Sequence, residues 1–512
     1  MIPVPLLAAG TAALTRVLVA AVGLAAIAAG AIGSGHSGAA VRHQAAAGAP
    51  NVLLVVVDDQ AANSFRPAYQ PQTFRWLVRG GTKFTNGLAA PPLCCPARAG
   101  LLTGDYPHNS GVFWDDPGYA SLVDSGDTLP VWLQRAGYRT GLVGKFMNGY
   151  DERQGLAPAP GFESWFNLLG TKRYYDYQVS DQGSLRSYGT ARSDYSTDVF
   201  GRQAKQFIRQ SSEDTRPFFL WLGLDAPHTA HASFVQGCRG NDPTPPDHKL
   251  LRRFRHVPLP RTQNFNEFDV SDKPNEVADL PRMTHTVFSN VRRRFQCTLA
   301  ADLEVDRAMG RIRRELARDG ELGRTIVFYL SDNGYFFGEH RIPRGKTLPY
   351  EPALRVPYAV RIPPAYRSHP QARVRTQLVT NEDIPATILD YAGRARSCAS
   401  AVDCRTLDGR SIRPLLGGSG RWPRGRAILA EISGGTKHWR AVRTPRYLYA
   451  RYEGGGRELY DLHRDPDELH NLSSEPAASS VEGALADRLR RLRHCAGIEG
   501  RDQKLNGVPF CD

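Results

Sequence analysis

The segment 93–104 reads Leu-Cys-Cys-Pro-Ala-Arg-Ala-Gly-Leu-Leu-Thr-Gly and combines residue types that suit a bound anion. Pro96 fits the first turn of a helix, where unpaired backbone N–H groups and the helix dipole favour negative charge. Arg98, one turn further on, can hold the oxygens of that anion with its fork of N–H donors. A structural cysteine pair before an ordinary helix is the alternative explanation of Cys94 and Cys95.

Polar and charged side chains also follow four apolar runs of the sequence. They are Asp58 and Asp59 after 51–57, Lys145 after 139–143, His228 after 218–224, and Asp332 and Asn333 after 325–330. Continuous β-branched runs of this length are typical of strands buried on both faces of a parallel sheet. Because ligands of such sheets bind outside the carboxyl ends of the strands, we expect these side chains to converge on one site.

The elements that must position this site follow an α/β pattern, since amphipathic, helix-like stretches separate the four apolar runs. Past residue 418 the sequence becomes rich in Gly, Ser and Arg and then offers strand-like runs at 440–442 and 447–449 and an amphipathic helix over 481–492. We predict a second, smaller domain there. The stretch 238–281 lacks periodicity and is predicted to be a long ordered insertion lining the site, or a mobile lid.

The pattern Cys94-x-Pro96-x-Arg98 followed by Leu102-Thr103-Gly104 resembles the signature of the type I sulfatases, in which the first cysteine is oxidised to formylglycine after synthesis. The similarity extends from residue 51 to about 472. Further matches include Asp58-Asp59, Gly144-Lys145, Pro227-His228, Ser331-Asp332-Asn333-Gly334, Gly338-Glu339-His340, Lys346, and Glu458-Leu459-Tyr460-Asp461-Leu462. The resemblance implies an alkaline-phosphatase-like catalytic domain over 50–418, with a mostly parallel central sheet flanked by helices. It also implies a C-terminal α+β domain over 419–512 with a short antiparallel sheet.

The resemblance further implies a divalent cation in the site. Its ligands would be Asp58, Asp59, Asp332 and Asn333, together with the formylglycine formed at Cys94. All of these donate oxygen, which calcium or magnesium prefers, and the absence of thiolate and imidazole ligands argues against zinc.

Five side chains are implied to carry the reaction: Cys94, Arg98, Lys145, His228 and Lys346. One hydroxyl of the hydrated formylglycine attacks sulfur with the help of Arg98, and the alcohol leaves. Lys145 binds the sulfate, while His228 and Lys346 are candidates to protonate the leaving oxygen. The second hydroxyl then loses its proton, which expels sulfate and restores the aldehyde.

One position departs from the family pattern and indicates a substrate class. Met147 stands where many members have a second histidine after the motif lysine. The segment is instead similar to the glucosamine-6-sulfatase and extracellular heparan endosulfatase branch, as are Asn266 and the sequence Asp272-Lys273-Pro274. A sulfated sugar such as N-acetylglucosamine 6-sulfate is therefore the expected substrate. His340 is expected either near the site or as a structural histidine in a loop.

Length, composition and charge agree with a globular enzyme that meets anions. The 512 residues exceed what one hydrophobic core usually serves, and 41% hydrophobic residues exclude a disordered chain and a multi-span membrane protein. The net charge of +14 suits an anionic partner or a basic solvated surface. We expect a sulfated small molecule or carbohydrate as substrate, a formylglycine-generating enzyme as maturation partner, and no nucleic acid.

The N-terminal region predicts export. The apolar stretch 17–30 is shorter than the ~20 residues of a spanning helix, and the small residues 38–40 offer a cleavage site. We predict an export signal within 1–40, with an uncleaved N-terminal anchor as the alternative, and no stable span after signal removal. The protein would be secreted or extracytoplasmic, where disulfides are stable. The pairs Cys398–Cys404, Cys495–Cys511 and Cys238–Cys297 form one of ~15 possible connectivities.

Two other functions stay open. Phosphate and sulfate share a tetrahedral shape, so a phosphomonoester or phosphodiester hydrolase of the same superfamily is one alternative. A non-catalytic relative that binds sulfated carbohydrate is the other, although intact candidates for nucleophile, metal and anion binding argue against it.

Overall fold

The computed structural model describes residues 48–150, 155–170, 173–231, 236–393 and 406–512. These described residues belong to one compact unit. Within the described ranges, no helix has the length and apolar character that crossing a membrane requires. The predicted signal over 1–40 lies outside the described residues, and the boundary between 418 and 419 stays a prediction.

A ten-stranded mixed sheet forms the centre of the protein. Its strands are β1 (Asn51–Val57), β2 (Thr82–Leu88), β3 (Arg139–Gly144), β4 (Ser164–Leu169), β5 (Tyr177–Asp181), β6 (Ser184–Tyr188), β7 (Phe218–Leu224), β8 (Thr325–Ser331), β9 (Tyr358–Arg361) and β10 (Val374–Thr380). They lie in the order β10-β2-β9-β8-β1-β7-β3-β4-β5-β6. The four predicted strands are thus the adjacent, mutually parallel strands β8, β1, β7 and β3. This arrangement confirms the expected mostly parallel α/β sheet.

Helices cover both faces of this sheet. The α-helices are α1 (Pro71–Thr73), α2 (Cys94–Thr103), α3 (Pro107–Ser110), α4 (Leu129–Arg135), α5 (Ser196–Ser212), α6 (His248–Phe254), α7 (Asn275–Ala278), α8 (His285–Arg318), α9 (Glu351–Leu354), α10 (Asp383–Tyr391) and α11 (Ser479–Leu492). A π-helical turn, Phe74–Val78, continues α1. Short 3-10 segments lie at Gly118–Ser121, Arg192–Asp194, Glu321–Gly323, Pro364–Tyr366, Arg413–Leu415, Leu472–Ser474 and Pro476–Ala478.

Two layers of the core lie on opposite sides of β1. Leu54 joins the apolar cluster formed with α2, α4 and α10, whereas its neighbour Val55 joins the cluster formed with α5 and α8. Successive strand residues point to opposite faces of the sheet. A strand that has an apolar cluster on each face is therefore buried on both sides. Every residue of β1, β7 and β8 is accordingly buried.

The C-terminal region contains the predicted antiparallel sheet. Its strands are β11 (Ile428–Gly434), β12 (Lys437–Arg443), β13 (Tyr447–Tyr452) and β14 (Arg457–Asp461), in that order. The strands pair antiparallel throughout. The predicted helix over 481–492 is α11, and its Leu485 and Leu489 belong to the same apolar cluster as this sheet.

The stretch 238–281 is folded, while its expected role as a lining of the site or as a mobile lid stays a prediction. It contains α6 and α7, and a disulfide from Cys238 to Cys297 joins its beginning to α8. Lys273 donates from Nζ to the carbonyl oxygen of Leu469 over 2.8 Å, which attaches its far end to the C-terminal region. The predicted pair Cys495–Cys511 is also present, whereas the pair Cys398–Cys404 lies outside the described residues.

Candidate active site

The predicted functional side chains lie at the carboxyl ends of the central strands, as expected. Asp58 follows β1, Lys145 follows β3, His228 follows β7 at a distance of four residues, and Asp332 follows β8. Gly144 adopts a φ of 95°, and a Cβ there would lie 1.9 Å from the carbonyl oxygen of Gly223, so only glycine fits the turn that delivers the lysine.

Cys94 is the first residue of α2, and its buried thiol lies among charged groups. Its Sγ atom lies 3.4 Å from Oδ1 of Asp58 and 2.8 Å from Nζ of Lys346. The same lysine forms an ion pair with Oδ1 of Asp59, and Lys145 forms one with Oδ2 of Asp58. The predicted nucleophile therefore lies between two carboxylates and two ammonium groups.

Arg98 lies one turn into α2 and is completely buried. Its Nε donates to Oδ2 of Asp332 over 2.8 Å, and its Nη2 lies 3.4 Å from Oδ2 of Asp58. Its Nη1 donates to the carbonyl oxygens of Lys145 and Phe146 over 2.9 and 3.1 Å. These contacts tie the ends of β1, β3 and β8 to the helix that carries Cys94.

His228 faces the two aspartates. Its Nε2 lies 3.4 Å from Oδ2 of Asp59 and 4.0 Å from Oδ1 of Asp58. Its Nδ1 lies 2.8 Å from the carbonyl oxygen of Thr229 and must carry a proton there, because a carbonyl can only accept. The hydroxyl of Tyr174, which the sequence analysis did not identify, donates to the carbonyl oxygen of His228 over 2.6 Å and fixes the backbone of this loop.

The side chains present fit a divalent cation. Ligand atoms of Asp58, Asp59, Cys94 and His228 all lie within 4.8 Å of one another. Asn333 donates from Nδ2 to Asp59 Oδ1 over 2.6 Å and to a backbone carbonyl, whereas its buried Oδ1 has no hydrogen-bond partner among the described residues. An unsatisfied buried acceptor costs about 1–3 kcal/mol, which a bound cation would remove. The carboxylate and amide oxygens suit calcium or magnesium.

Asp332 differs from the other predicted ligands in its contacts. Its Oδ2 accepts from Arg98, and its Oδ1 accepts from the backbone N–H of Asp59 over 3.3 Å. Asp332 thus orients Asp59 through its backbone. His228, which was predicted to transfer a proton, lies within the cluster of possible ligand atoms.

Burial and charge set the protonation of these groups in opposite directions. Burial alone would raise the pKa of Asp58, but Lys145, His228 and Arg98 hold that pKa well below its usual range. For Asp332, burial and the neighbouring carboxylate of Asp58 raise the pKa. Burial and the carboxylate of Asp58 also raise the pKa of the Cys94 thiol well above its usual value. An unmodified Cys94 therefore stays a protonated thiol at neutral pH and is a poor nucleophile.

A hydrogen-bonded support behind α2 was missed by the sequence analysis. Asn381 donates from Nδ2 to the carbonyl oxygen of Ala97 and accepts at Oδ1 from the backbone of Ala90, each over 2.9 Å. A Cβ on Gly100 would lie 2.7 Å from this Asn381 and from Glu382. The glycine inside an otherwise helical motif is the sequence signal that a close contact of this kind was needed.

His340 is a structural histidine, which was one of the two expectations for it. It is buried, its Nδ1 lies 2.7 Å from Oε2 of Glu267, and its ring stacks on Tyr350. Burial would lower its pKa, but hydrogen bonds with Glu267 and Glu468 raise it to about 9. We call the charged groups around it the joint cluster: Glu267, His340, Glu351, Arg443, Glu458 and Glu468.

The comparisons with known proteins agree with this geometry. Residues 50–394 match the family model described as "Sulfatase", and residues 338–495 match one described as "N-sulphoglucosamine sulphohydrolase, C-terminal". The chain is 31% identical to an extracellular sulfatase SULF-1 homolog of Drosophila melanogaster over 75% of its own length, and it spans only 33% of that relative. It is 28% identical to N-acetylglucosamine-6-sulfatase of Capra hircus, and the alignment covers 88% of this chain and 84% of that protein.

A solved structure shares the fold. This structure is a complex of a protein with its substrate D-glucosamine-2-N,6-O-disulfate. It superposes on 86% of this chain and 97% of its own chain with a TM-score of 0.68 and 23% sequence identity. The central sheet with its smaller C-terminal sheet is therefore an established arrangement.

Proposed function

We propose that this chain, which belongs to the sulfatase family, hydrolyses sulfate monoesters with a formylglycine at position 94. The observation that carries the proposal is the placement of Cys94. It begins α2 in the motif spacing, and its Sγ lies 3.4 Å from Oδ1 of Asp58 and 2.8 Å from Nζ of Lys346. A thiol with a raised pKa does not suit this position, whereas the hydroxyls of a hydrated aldehyde do.

In this proposal the Sγ atom stands in for the oxygens of the hydrated aldehyde. Asp58, 3.4 Å away, accepts a proton or hydrogen bond from the attacking hydroxyl. Attack forms a bond between that oxygen and sulfur and breaks the bond from sulfur to the alcohol. The second hydroxyl then loses its proton, the bond from its carbon to the sulfated oxygen breaks, and the aldehyde and free sulfate result.

Cationic side chains around residue 94 bind the sulfate and assist the leaving group. Lys145 and Lys346, whose pKa values the nearby carboxylates raise against the effect of burial, remain ammonium ions at neutral pH. They can hold sulfate oxygens, while Nε2 of His228 or Nζ of Lys346 delivers the proton to the departing alcohol. Arg98, with its donors on protein acceptors, acts as a positioning residue.

Asp58, Asp59 and Asn333 would hold a calcium or magnesium ion beside these groups, with Asp332 orienting Asp59. Such an ion, when bound, supplies charge stabilisation for the developing sulfate oxyanion. The unpartnered Oδ1 of Asn333 supports this assignment.

The substrate is proposed to be a sulfated sugar such as N-acetylglucosamine 6-sulfate. The goat relative carries this substrate in its name, and the solved neighbour binds a disulfated glucosamine. The protein is proposed to act outside the cytoplasm, either secreted or held by its N-terminal segment. The disulfides Cys238–Cys297 and Cys495–Cys511 support an oxidising compartment.

The test is the state of the tryptic peptide 84–98 from protein purified from its native host. This peptide contains both Cys94 and Cys95. We expect one alkylated cysteine, at position 95, and an aldehyde at position 94 that reacts with a hydrazide. Two alkylated cysteines in fully active protein would contradict the proposal. Faster turnover of p-nitrophenyl phosphate than of p-nitrophenyl sulfate would instead favour the phosphate-ester alternative.

A further inference from the structure

A cavity outside the candidate active site lies between the four-stranded sheet and helix α11. It has a volume of about 540 Å³. Its lining includes Arg440, Arg451, Arg490, Arg493 and His438. The acidic Glu453 also lines it and lies 3.5 Å from Nδ1 of His438. Positive charge therefore dominates this groove, which we call the arginine groove.

Three arginines lie side by side across the sheet, and two of them, Arg440 and Arg451, line the groove. Arg440 on β12 is directly opposite Arg451 on β13, which is directly opposite Arg457 on β14. Like charges in opposed positions destabilise an antiparallel sheet. The outer two have acidic partners, since Arg440 lies 3.1 Å from Glu431 and Arg457 lies 2.9 Å from Glu482. Arg451 forms no ion pair with any carboxylate of the described residues, so the stability of the sheet does not explain it.

The arginines of the opposite wall have a partial structural explanation. Arg490 and Arg493 lie at the C-terminal end of α11, where cations interact favourably with the helix dipole. Arg490 also pairs with Asp487. The cross-strand row, and Arg451 in particular, is therefore the feature that points to a ligand.

We propose that the arginine groove binds a sulfated polysaccharide chain, with Arg451 at its centre. Guanidinium groups bind sulfate and carboxylate oxygens through paired N–H donors. Neighbouring strands lie about 4.8 Å apart, so the row repeats positive charge along a line and suits a linear polyanion better than one small ion. The inference rests on the proposed function, because it takes the polymer to be the substrate.

The lining favours a polysaccharide over a nucleic acid. Proteins that bind single strands usually stack bases on exposed aromatic rings. Trp439 is buried, and the half-buried Tyr452 donates its hydroxyl to Glu458. Neither ring of the lining is free to stack on a base.

The same sheet connects the groove to the candidate active site. Trp439 donates from Nε1 to the carbonyl oxygen of Thr347 over 2.8 Å, and Thr347 follows Lys346. Arg440, the next residue along β12, points to the opposite face and into the groove. A polymer held in the groove would keep its sulfate esters at high local concentration near the site.

The test measures binding to the full chain carrying Cys94→Ala, so that turnover does not interfere. The probe is a fluorescent heparin dodecasaccharide at low ionic strength. Arg451→Ala combined with Arg493→Ala should weaken binding about tenfold, because charge-assisted contacts are lost. The matched control, Arg79→Ala with Arg135→Ala, removes two exposed arginines elsewhere and should change affinity less than about twofold. Arg451→Ala alone should leave the melting temperature unchanged or raise it, which excludes misfolding as the cause.

Equal losses in the groove variant and the control would overturn the inference, as would a 20-base-pair DNA that binds as tightly and with the same dependence on Arg451. The two proposals fail separately. Protein that binds heparin through the groove yet hydrolyses no sulfate ester would contradict the proposed function alone. An active enzyme whose heparin affinity is unchanged by Arg451→Ala would contradict the proposed role of the arginine groove alone.

Discussion

The candidate active site and the joint cluster are both buried and charged, but they differ in how completely their polar atoms are paired. In the joint cluster, Arg443 pairs with Glu351 over 2.7 Å, and three tyrosine hydroxyls donate to Glu458. No fully buried side-chain nitrogen or oxygen atom of the joint cluster lacks a hydrogen-bond partner among the described residues. In the site, Oδ1 of Asn333 accepts no hydrogen bond from any residue that the structure describes.

This difference separates a structural network from a functional one. A fully paired buried network fixes one arrangement of the chain, here between the insertion, the segment 338–351 and the C-terminal sheet. A buried acceptor without a partner costs stability, and a cation bound at Asn333 would remove that cost. Variants of the first cluster should therefore change stability, and variants of the second should change chemistry.

The largest expected effect is that of Cys94→Ala. It removes the residue proposed to become the nucleophile, so turnover of sulfate esters should fall below detection while the melting temperature stays near that of the parent. Cys95→Ala is the matched control. The thiol of Cys95 is buried, so its removal should cost some stability. The backbone N–H of residue 95, which donates to Asp115 over 2.9 Å, is retained in this variant, so the aldehyde at position 94 should still form. Measurable turnover by Cys94→Ala would contradict the assignment of residue 94 as the nucleophile.

The second effect concerns the leaving group. His228→Ala and Lys346→Ala should lower kcat/KM on N-acetylglucosamine 6-sulfate by ~10²–10⁴-fold, because a sugar alkoxide needs a proton. On p-nitrophenyl sulfate, whose leaving group is stable as an anion, the loss should be distinctly smaller. Kinetics on both esters give the ratio. Equal losses would mean that these residues bind sulfate or support the site and do not transfer protons.

The third effect tests the joint cluster through pH. The pKa of His340 is raised to about 9 in the folded protein, above about 6.5 for an unfolded chain. Its stabilising contribution should be complete below about pH 6.5 and should be lost as pH rises through about 9, by no more than about 3 kcal/mol. Denaturant unfolding across this pH range measures it. His340→Gln should flatten the profile, whereas His463→Gln, at an exposed position, should leave it unchanged.

The smallest effect compares two buried asparagines. Asn333→Ala removes the unpartnered oxygen and should weaken binding of calcium or magnesium about 10–100-fold. Asn381→Ala removes the support behind α2 and should lower the free energy of unfolding by about 1–3 kcal/mol with little change in metal affinity. Isothermal titration of chelator-treated protein gives the affinities. Equal metal affinities in the two variants would remove the distinction drawn between these amides.

The parts of the site that depend on strand ends can be predicted from the sequence. The runs that became β1, β3, β7 and β8 are apolar over most of their length because helices cover both faces, and that property is visible in sequence. The carboxyl ends of parallel strands meet, so Asp58, Lys145, His228 and Asp332 could be brought together without a structure.

Contacts between distant segments could not be predicted in the same way. Asn381 supports a helix almost three hundred residues earlier, and the partners of His340 come from the insertion and from residue 468. The opposition of Arg440, Arg451 and Arg457 depends on strand register, which short turns and packing decide. The split between Asp332, which pairs with Arg98, and Asn333, which keeps a free oxygen, also needed atomic positions.

The disulfide that joins the insertion to α8 has a consequence for how this protein can change. Cys238 and Cys297 fix the two ends of a 59-residue segment independently of what lies between them. Helix α8 packs against the central sheet through Val305 and Ile312, which lie after Cys297 and therefore outside the segment. Those parts of the intervening chain that make no contact with the joint cluster or the C-terminal region can therefore change in length or sequence during evolution or in the laboratory, while the strands that carry the reactive groups keep their places.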